Sequence, residues 1–408
     1  MSGTLYYGHS SIEGDLSFSA RVEVQSKDNE EVKRSIYSQL NHLIGYFQST
    51  AIQKKYRSKG TLNDERSVTI NSISPGANGA FVVNYSFTGR ALFNKEIFRS
   101  GNEISLPIRL PLNPDTIYSF GMKRRINYCT NPDFDSADDY FYFWDIDLDG
   151  CPLNDSHPQI VSIKANLKRR ENTVSSFPEY DKLYKKADLK ITTIIGYLGS
   201  VRAGRINSGD EAFETYDGLS ENLKRMGFKA GDRVEAGSSL KESFIKDIKN
   251  QFGITQRVAV DLIIADSNSE TETAFETYYQ DALRNSDIVA YDGHSGAGGY
   301  LHLNRFPDLV MTDLYQVYFF NGCSTYSFFN RLYINAKPGH SQNLDIISAG
   351  LLTYPETSVN NMMAFLSPFL SGKLSSYQEI LLSLERSNRN EPTYLMGVSG
   401  DEDNAFRP

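Results

Sequence analysis

The sequence has no surplus of positive charge. Its 408 residues carry a net charge of -8 and a pI near 5.4, a balance without the basic footprint of a nucleic-acid-binding protein. The one short basic cluster, Lys168-Arg169-Arg170, reads as a solvated loop. No stretch approaches the run of about 18 uncharged apolar residues that a transmembrane helix needs. The opening MSGTLYYGHSS lacks the basic and apolar regions of a signal peptide. It fits a cytosolic chain or a mature end with an added Met. Cysteine is scarce, at three residues. None belongs to a CxxC pair, which argues against a structural zinc site.

The three cysteines fall into two groups. Cys129 and Cys151 stand 22 residues apart in one polar, Asp-rich loop, while Cys323 lies far away in an apolar run. Two nearby loop cysteines suit a disulfide, which persists in oxidising compartments. A bridge between them points to a secreted or periplasmic protein, and two free thiols to a cytoplasmic one.

Apolar material is sufficient for a real core, with 40% hydrophobic and 23% charged residues. The length suits two domains. The N-terminal half reads as β-rich with one long helix. Leu16–Val24 alternates apolar and polar residues, as a half-buried strand does. From Glu30 to Lys54, Val32, Ile36, Leu40, Leu43 and Phe47 recur at helical spacing and form one core-facing stripe. Strands are predicted over Ser67–Ile73 and Ala80–Phe87, separated by the turn formers SPGANG. Ile104–Leu110 is an edge strand at most, because Pro107 interrupts it. The boundary falls in the charged, irregular segment from Asn166 to Lys186. Beyond it strands alternate with helices. Strands are predicted at Ile191–Leu198, Val258–Ala265, Asp287–Tyr291, Gln316–Phe320 and Leu344–Leu352. Helices are predicted at Asp210–Met226, Thr271–Arg284 (capped by Ser269 or Thr271), Ser358–Ser371 and Ser376–Arg386. The expected organisation is an α+β, β-rich accessory domain over residues 1–165, a linker over 166–186, and an α/β domain over 187–408. Its sheet should be mainly parallel, with helices on both faces.

In such sheets ligands bind beyond the carboxyl ends of the strands. Two consecutive strands end in chemically loaded turns. DIVAYDGHSGAGGYL runs into Asp292, Gly293, His294, Ser295 and Gly296, and YQVYFFNGCSTYSFF runs into Asn321, Gly322, Cys323 and Ser324. Parallel strands would bring both turns to one edge of the sheet. A histidine there can take the thiol proton, and the resulting thiolate is a strong nucleophile. The glycines let backbone N–H groups approach an oxyanion.

A hydrophobic strand leading to His, followed by one leading to Cys, resembles the caspase-like (clan CD) cysteine peptidases: caspases, legumains, gingipains, clostripain and separases. GHSGAGGYL with FFNGCSTY looks most like the separase pattern, with Gly-His-Gly and Gly-Cys-Ser in these turns. The resemblance covers roughly Ala187 to Tyr354. It implies that His294 is the general base and Cys323 the nucleophile, with the backbone N–H of Cys323 and one just after His294, that of Ser295, as oxyanion donors. The substrate would be a peptide or protein, with no cofactor required. The chain departs from the pattern at Ser295, where the family usually has Gly.

Other readings use the same residues. Gly293-His294-Ser295-Gly296-Ala297 approaches the G-x-S-x-G nucleophile elbow of serine hydrolases, with His302 and His340 as bases, but an elbow needs a helix straight after it. A non-catalytic binding or scaffold protein with a relic dyad is the alternative of a different class. The resemblance places the substrate pocket partly on the strand after the cysteine, so Asp345 and Ser348 are pocket candidates. Asp266 is ambiguous. Asp145-Ile146-Asp147-Leu148-Asp149-Gly150 matches the opening of a calcium loop. It lacks the glutamate of a full EF-hand, so Asp145, Asp147 and Asp149 make only a candidate calcium site, which Asp133, Asp135, Asp138 and Asp139 would complete. The adjacent YFYFW reads as core or an interdomain contact. The resemblance also suggests activation by cleavage in the boundary segment, with Lys168, Arg169 and Arg170 as exposed basic candidates; the alternative is a plain linker.

Overall fold

The computed structural model describes residues 11–131, 136–170, 176–202, 204–268, 273–387 and 395–408. Ser269, Thr271, Asp133 and Asp135 lie outside them. The chain divides after Glu171 into two compact units.

The unit Ser11–Glu171 is built on a five-stranded antiparallel sheet. Its central strand, β1 (Ser11–Val24), has β3 (Phe81–Asn94) along its whole length on one side and β7 (Ile160–Arg169) on the other. β2 (Gly60–Pro75) and β4 (Glu103–Pro111) form the outer edges. Pro107 is tolerated because β4 pairs with β7 alone, leaving its other edge outside the ladder. The residues Val32, Ile36, Leu40, Leu43 and Phe47 are all buried. The helix expected over Glu30–Lys54 is nevertheless two helices. α1 (Asn29–Tyr46) starts at Asp28, whose carboxylate accepts from the backbone of Glu30 and Glu31. It ends where Phe47 turns its carbonyl to Gly60. α2 (Thr50–Tyr56) begins anew, with Asp145 Oδ2 accepting from Thr50 N–H at 2.7 Å.

α3 (Ile117–Gly121) leads into a small hairpin of β5 (Met122–Lys123) and β6 (Ile126–Asn127). The aromatic run belongs to this unit's own core. Trp144 is fully buried, lies edge-on to His42 of α1 at 5.3 Å, and donates its indole N–H to Arg109 O at 2.9 Å.

Strand β7 was not legible as a strand, and it changes the reading of the basic cluster. Lys168 and Arg169 lie within β7. Arg170 pairs with Asp15 at 3.0 Å and donates its backbone N–H to Glu13 O. These residues are tied into a ladder and do not form the solvated loop that a cleavage site requires.

The second unit is mixed α/β around an eight-stranded sheet of order β15-β14-β13-β12-β8-β11-β10-β9. Its middle five strands are parallel: β14 (Leu344–Ser348), β13 (Gln316–Asn321), β12 (Ile288–Asp292), β8 (Asp188–Gly196) and β11 (Thr255–Ala265). The flanks are antiparallel: β15 (Gly397–Ser399) on one side, and β10 (Ser239–Lys249) followed by β9 (Lys229–Ala236) on the other. These three flanking strands were not anticipated.

α4 (Tyr180–Tyr184), α5 (Glu211–Arg225), α8 (Pro355–Ser371) and α9 (Tyr377–Ser387) share one core with the sheet, and α6 (Ala274–Asn285) and α7 (Asn330–Ala336) share another. The parallel strands are therefore apolar on both faces. Ile288, Ala290, Val317 and Phe319 join the first core, and Val289, Tyr291, Tyr318 and Phe320 the second. Strand order reverses between β8 and β12, and such a switch point is where open α/β sheets bind ligands. Among the described residues no helix is long and apolar enough to cross a membrane.

Candidate active site

Both motif turns leave the same edge of the sheet from neighbouring strands. Asp292 and Asn321, the last residues of β12 and β13, are matched in register. Two glycines let the turns close on each other. Gly293 has φ 143°, and a Cβ there would stand 3.1 Å from the Gly196 backbone at the end of β8. A Cβ on Gly322 would stand 2.8 Å from the Gly293 carbonyl oxygen. A side chain at Gly293 would press against the end of β8, and one at Gly322 would push apart the strand ends that carry His294 and Cys323.

His294 is exposed, with Nε2 3.0 Å from the carbonyl oxygen of Leu198, just beyond β8. A carbonyl only accepts, so this bond assigns the hydrogen to Nε2 and leaves Nδ1 free to take a proton. The turn is held from beneath by the Tyr291 hydroxyl, which donates to His294 O at 2.7 Å and bonds Ser267 Oγ at 3.0 Å.

Cys323 is half-buried, with Sγ 4.0 Å from Thr353 O. Burial pushes the thiol above its ordinary range. Hydrogen bonds with Thr353 and with its own backbone pull the other way, and the charge of Asp292 adds to the rise. Ser324, directly after the cysteine, is left-handed at φ 52° and ψ 28°. That conformation is costly for a residue with a side chain. It is held because Ser324 N–H donates to Leu351 O at 3.0 Å and Tyr326 N–H to Ala349 O at 2.9 Å. The segment leaving β14 thus clamps the cysteine turn. Among the described residues no hydrogen bond joins the imidazole to the thiol, the ring being bonded to Leu198 and the sulfur to Thr353.

Ser295 is buried and donates its hydroxyl to the Cys323 carbonyl oxygen at 2.8 Å. The serine that departs from the family pattern therefore links the two turns. The elbow geometry does not form: residues 296–301 make a turn, with Gly296 and Ala297 both at positive φ, and the next helical piece is a single 3-10 turn at Leu303–Arg305. His302 Nδ1 accepts from Asn304 N–H at 3.2 Å, and His340 Nδ1 sits 3.1 Å from Ile334 O.

The two pocket candidates are corrected. Asp345 is the second residue of β14, at the opposite end of the strand from the motif turns, and is fully buried. Its Oδ2 accepts from Tyr315, from Tyr377 at 2.6 Å and from Asn404 at 2.6 Å. Burial raises its carboxyl to about 7 against these donors. Ser348 is also fully buried and donates to Asn330 Oδ1 at 2.9 Å. Neither side chain faces a substrate. Asp266 is a turn residue that accepts from Asn268 N–H at 3.0 Å.

The candidate calcium site is corrected too. Asp145 spends its oxygens on the backbone N–H groups of Thr50 and Asp147. Asp147 makes a two-pronged ion pair with Arg109, and Asp149 is exposed. Asp139 accepts from Ser136 Oγ at 2.7 Å, and Asp138 is exposed. Among the described residues no group of three metal-ligating side chains converges. Cys129 and Cys151 in the same loop are bonded as a disulfide, with Cα atoms 4.9 Å apart.

Three contributors to the site were not singled out from sequence. Leu198 acts through its carbonyl, which leaves no side-chain signature. Asp292 was readable: positions 288, 290 and 292 share one face of β12, and a carboxylate at the end of that apolar series asks for partners. Ser358 becomes visible only once α8 is placed beneath the strand ends. No family model matches the chain, and no curated protein matches it.

Proposed function

We propose that the second unit is a cysteine peptidase in which His294 and Cys323 cleave peptide bonds through a thioester acyl-enzyme. The observation that carries this reading is the joining of the two turns at one sheet edge, next to the switch point, by the Gly322–Gly293 contact and the Ser295–Cys323 hydrogen bond. Nδ1 of His294, left free by the bond from Nε2 to Leu198, takes the Sγ proton as the sulfur attacks the scissile carbonyl carbon. The negative charge that develops on the carbonyl oxygen falls to backbone N–H groups of the turns, those of Cys323 and Ser295 in this reading. Collapse breaks the C–N bond, and the imidazolium returns its proton to the departing amine. Water, deprotonated by the same imidazole, then hydrolyses the thioester. The Cys129–Cys151 disulfide supports a secreted or periplasmic site of action.

One observation favours a second reading, a non-catalytic binding or scaffold protein with a relic dyad: burial pushes the thiol upward and so opposes thiolate formation. A thiol-reactive peptide probe separates the two. A peptidase site labels Cys323 rapidly in the native protein and no faster than an ordinary thiol after heating. Labelling at the ordinary rate in both states supports the relic.

A further inference from the structure

Behind the two turns, toward α8, runs a chain of buried polar side chains that the proposed reaction does not use. Asn321 Nδ2 donates to Asp292 Oδ1, and Ser358 Oγ, in the first half of α8, donates to the same oxygen at 2.9 Å. Asn361, three residues on, donates to Asn321 Oδ1 at 3.3 Å, and Ser387 at the end of α9 donates to Asn361 Oδ1 at 2.8 Å. Asn321 and Asn361 are fully buried and Asp292 is 5% exposed. A carboxyl group here is costly compared with an apolar side chain of the same size. Its place, two residues before the histidine and facing the residue two before the cysteine, gives it a role that an apolar side chain would not fill.

We propose that Asp292 is a positioning residue: with Asn321 and Ser358 it ties the ends of β12 and β13 to α8, fixes the mutual placement of the His294 and Cys323 turns, and sets a carboxylate behind them that opposes thiolate formation. Its consequence for turnover rests on the peptidase reading, but its effect on the thiol does not. Around Asp292 stand Ile195 on β8, Asn321 and Cys323 on β13 and its turn, Ser358 and Asn361 on α8, and Tyr291 and His294 on its own strand and turn. Of these, Tyr291, His294 and Cys323 titrate. Burial raises the Asp292 carboxyl to about 6, with Asn321 and Ser358 holding it down. At neutral pH it is therefore largely ionised, and its charge opposes ionisation of Cys323.

Cys323 is the one free cysteine, so iodoacetamide reports on it alone in the unreduced protein. The test is the pH dependence of Cys323 alkylation in the full chain, with melting curves to establish folding. Asp292→Asn removes the charge, so its profile moves to lower pH. A shift of half a unit makes neutral-pH alkylation about threefold faster. Ser358→Ala removes one donor, so the carboxyl keeps its proton to higher pH, and alkylation is faster near and below neutral pH, where part of the carboxyl is protonated, while the alkaline part of the profile stays that of wild type. In peptide hydrolysis the change appears in kcat and not in KM. Folded variants with the wild-type alkylation profile overturn the proposal, and Ser358→Ala alone decides if Asp292→Asn does not fold. Alkylation needs no turnover. A shifted profile in a chain that cleaves nothing therefore keeps the Asp292 inference and removes the peptidase reading, while an unchanged profile in an active peptidase does the reverse.

Discussion

Ser295 donates its hydroxyl to the backbone carbonyl of Cys323 across 2.8 Å, so the residue after the histidine holds the turn that carries the cysteine. Ser295→Ala leaves that carbonyl without its donor, at a cost of about 1 kcal/mol for a typical hydrogen bond. The expected outcome is a lower melting temperature with peptide turnover reduced but present. A Ser295→Ala chain with the melting temperature and turnover of wild type would contradict this link.

Asp345 links stability to pH. Its carboxyl ionises at about 7 in the folded chain, raised by burial, and at about 4 when unfolded. The folded state therefore binds the proton more tightly. This stabilisation is complete below about pH 4 and is lost as pH rises through about 7. Asp345→Asn carries no such proton. Relative to wild type, it should gain in urea midpoint as pH rises from about 4 to about 7 and hold that gain above. Parallel midpoint curves for the two proteins would contradict this.

Asp145 Oδ2 accepts the first N–H of α2, that of Thr50, at 2.7 Å. Asp145→Ala should lower stability by about 1 kcal/mol, as loss of a helix cap does. Neither calcium nor a chelator should move the melting temperature of the wild type. A calcium-dependent rise that the substitution removes would restore the cation site.

The Cys129–Cys151 bridge closes a loop over a separation of 22 residues. By the chain-entropy estimate its reduction costs about 3 kcal/mol. Thermal melts with and without reductant measure this, and intact mass after alkylation of the unfolded, unreduced chain should show a single label, at Cys323. Three labels would leave the loop unbridged and remove the argument for an oxidising compartment.

The parallel strands were legible because both of their faces are buried. Runs such as VAVDLIIA and QVYFF need no knowledge of the partner to be seen. The two motif turns were legible because Gly, His and Cys at strand ends carry their chemistry in residue type. β9 was not legible: all but its last residue are exposed, so no apolar period marks it. β7 was masked by its charged end, where Lys168 and Arg169 occupy exposed ladder positions. Asp345 misled because a carboxylate near a strand end looks the same in sequence whether it meets solvent or three buried donors. Only the placement of Tyr315, Tyr377 and Asn404 decides between them.

The central claim is that Cys323 attacks a peptide carbonyl with His294 as its base. Cleavage of a mixed peptide library by wild type, Cys323→Ala and His294→Ala, each verified as folded, tests it most directly. The account predicts cleavage by the wild type alone, with both substitutions abolishing it. Undiminished cleavage by Cys323→Ala would contradict it.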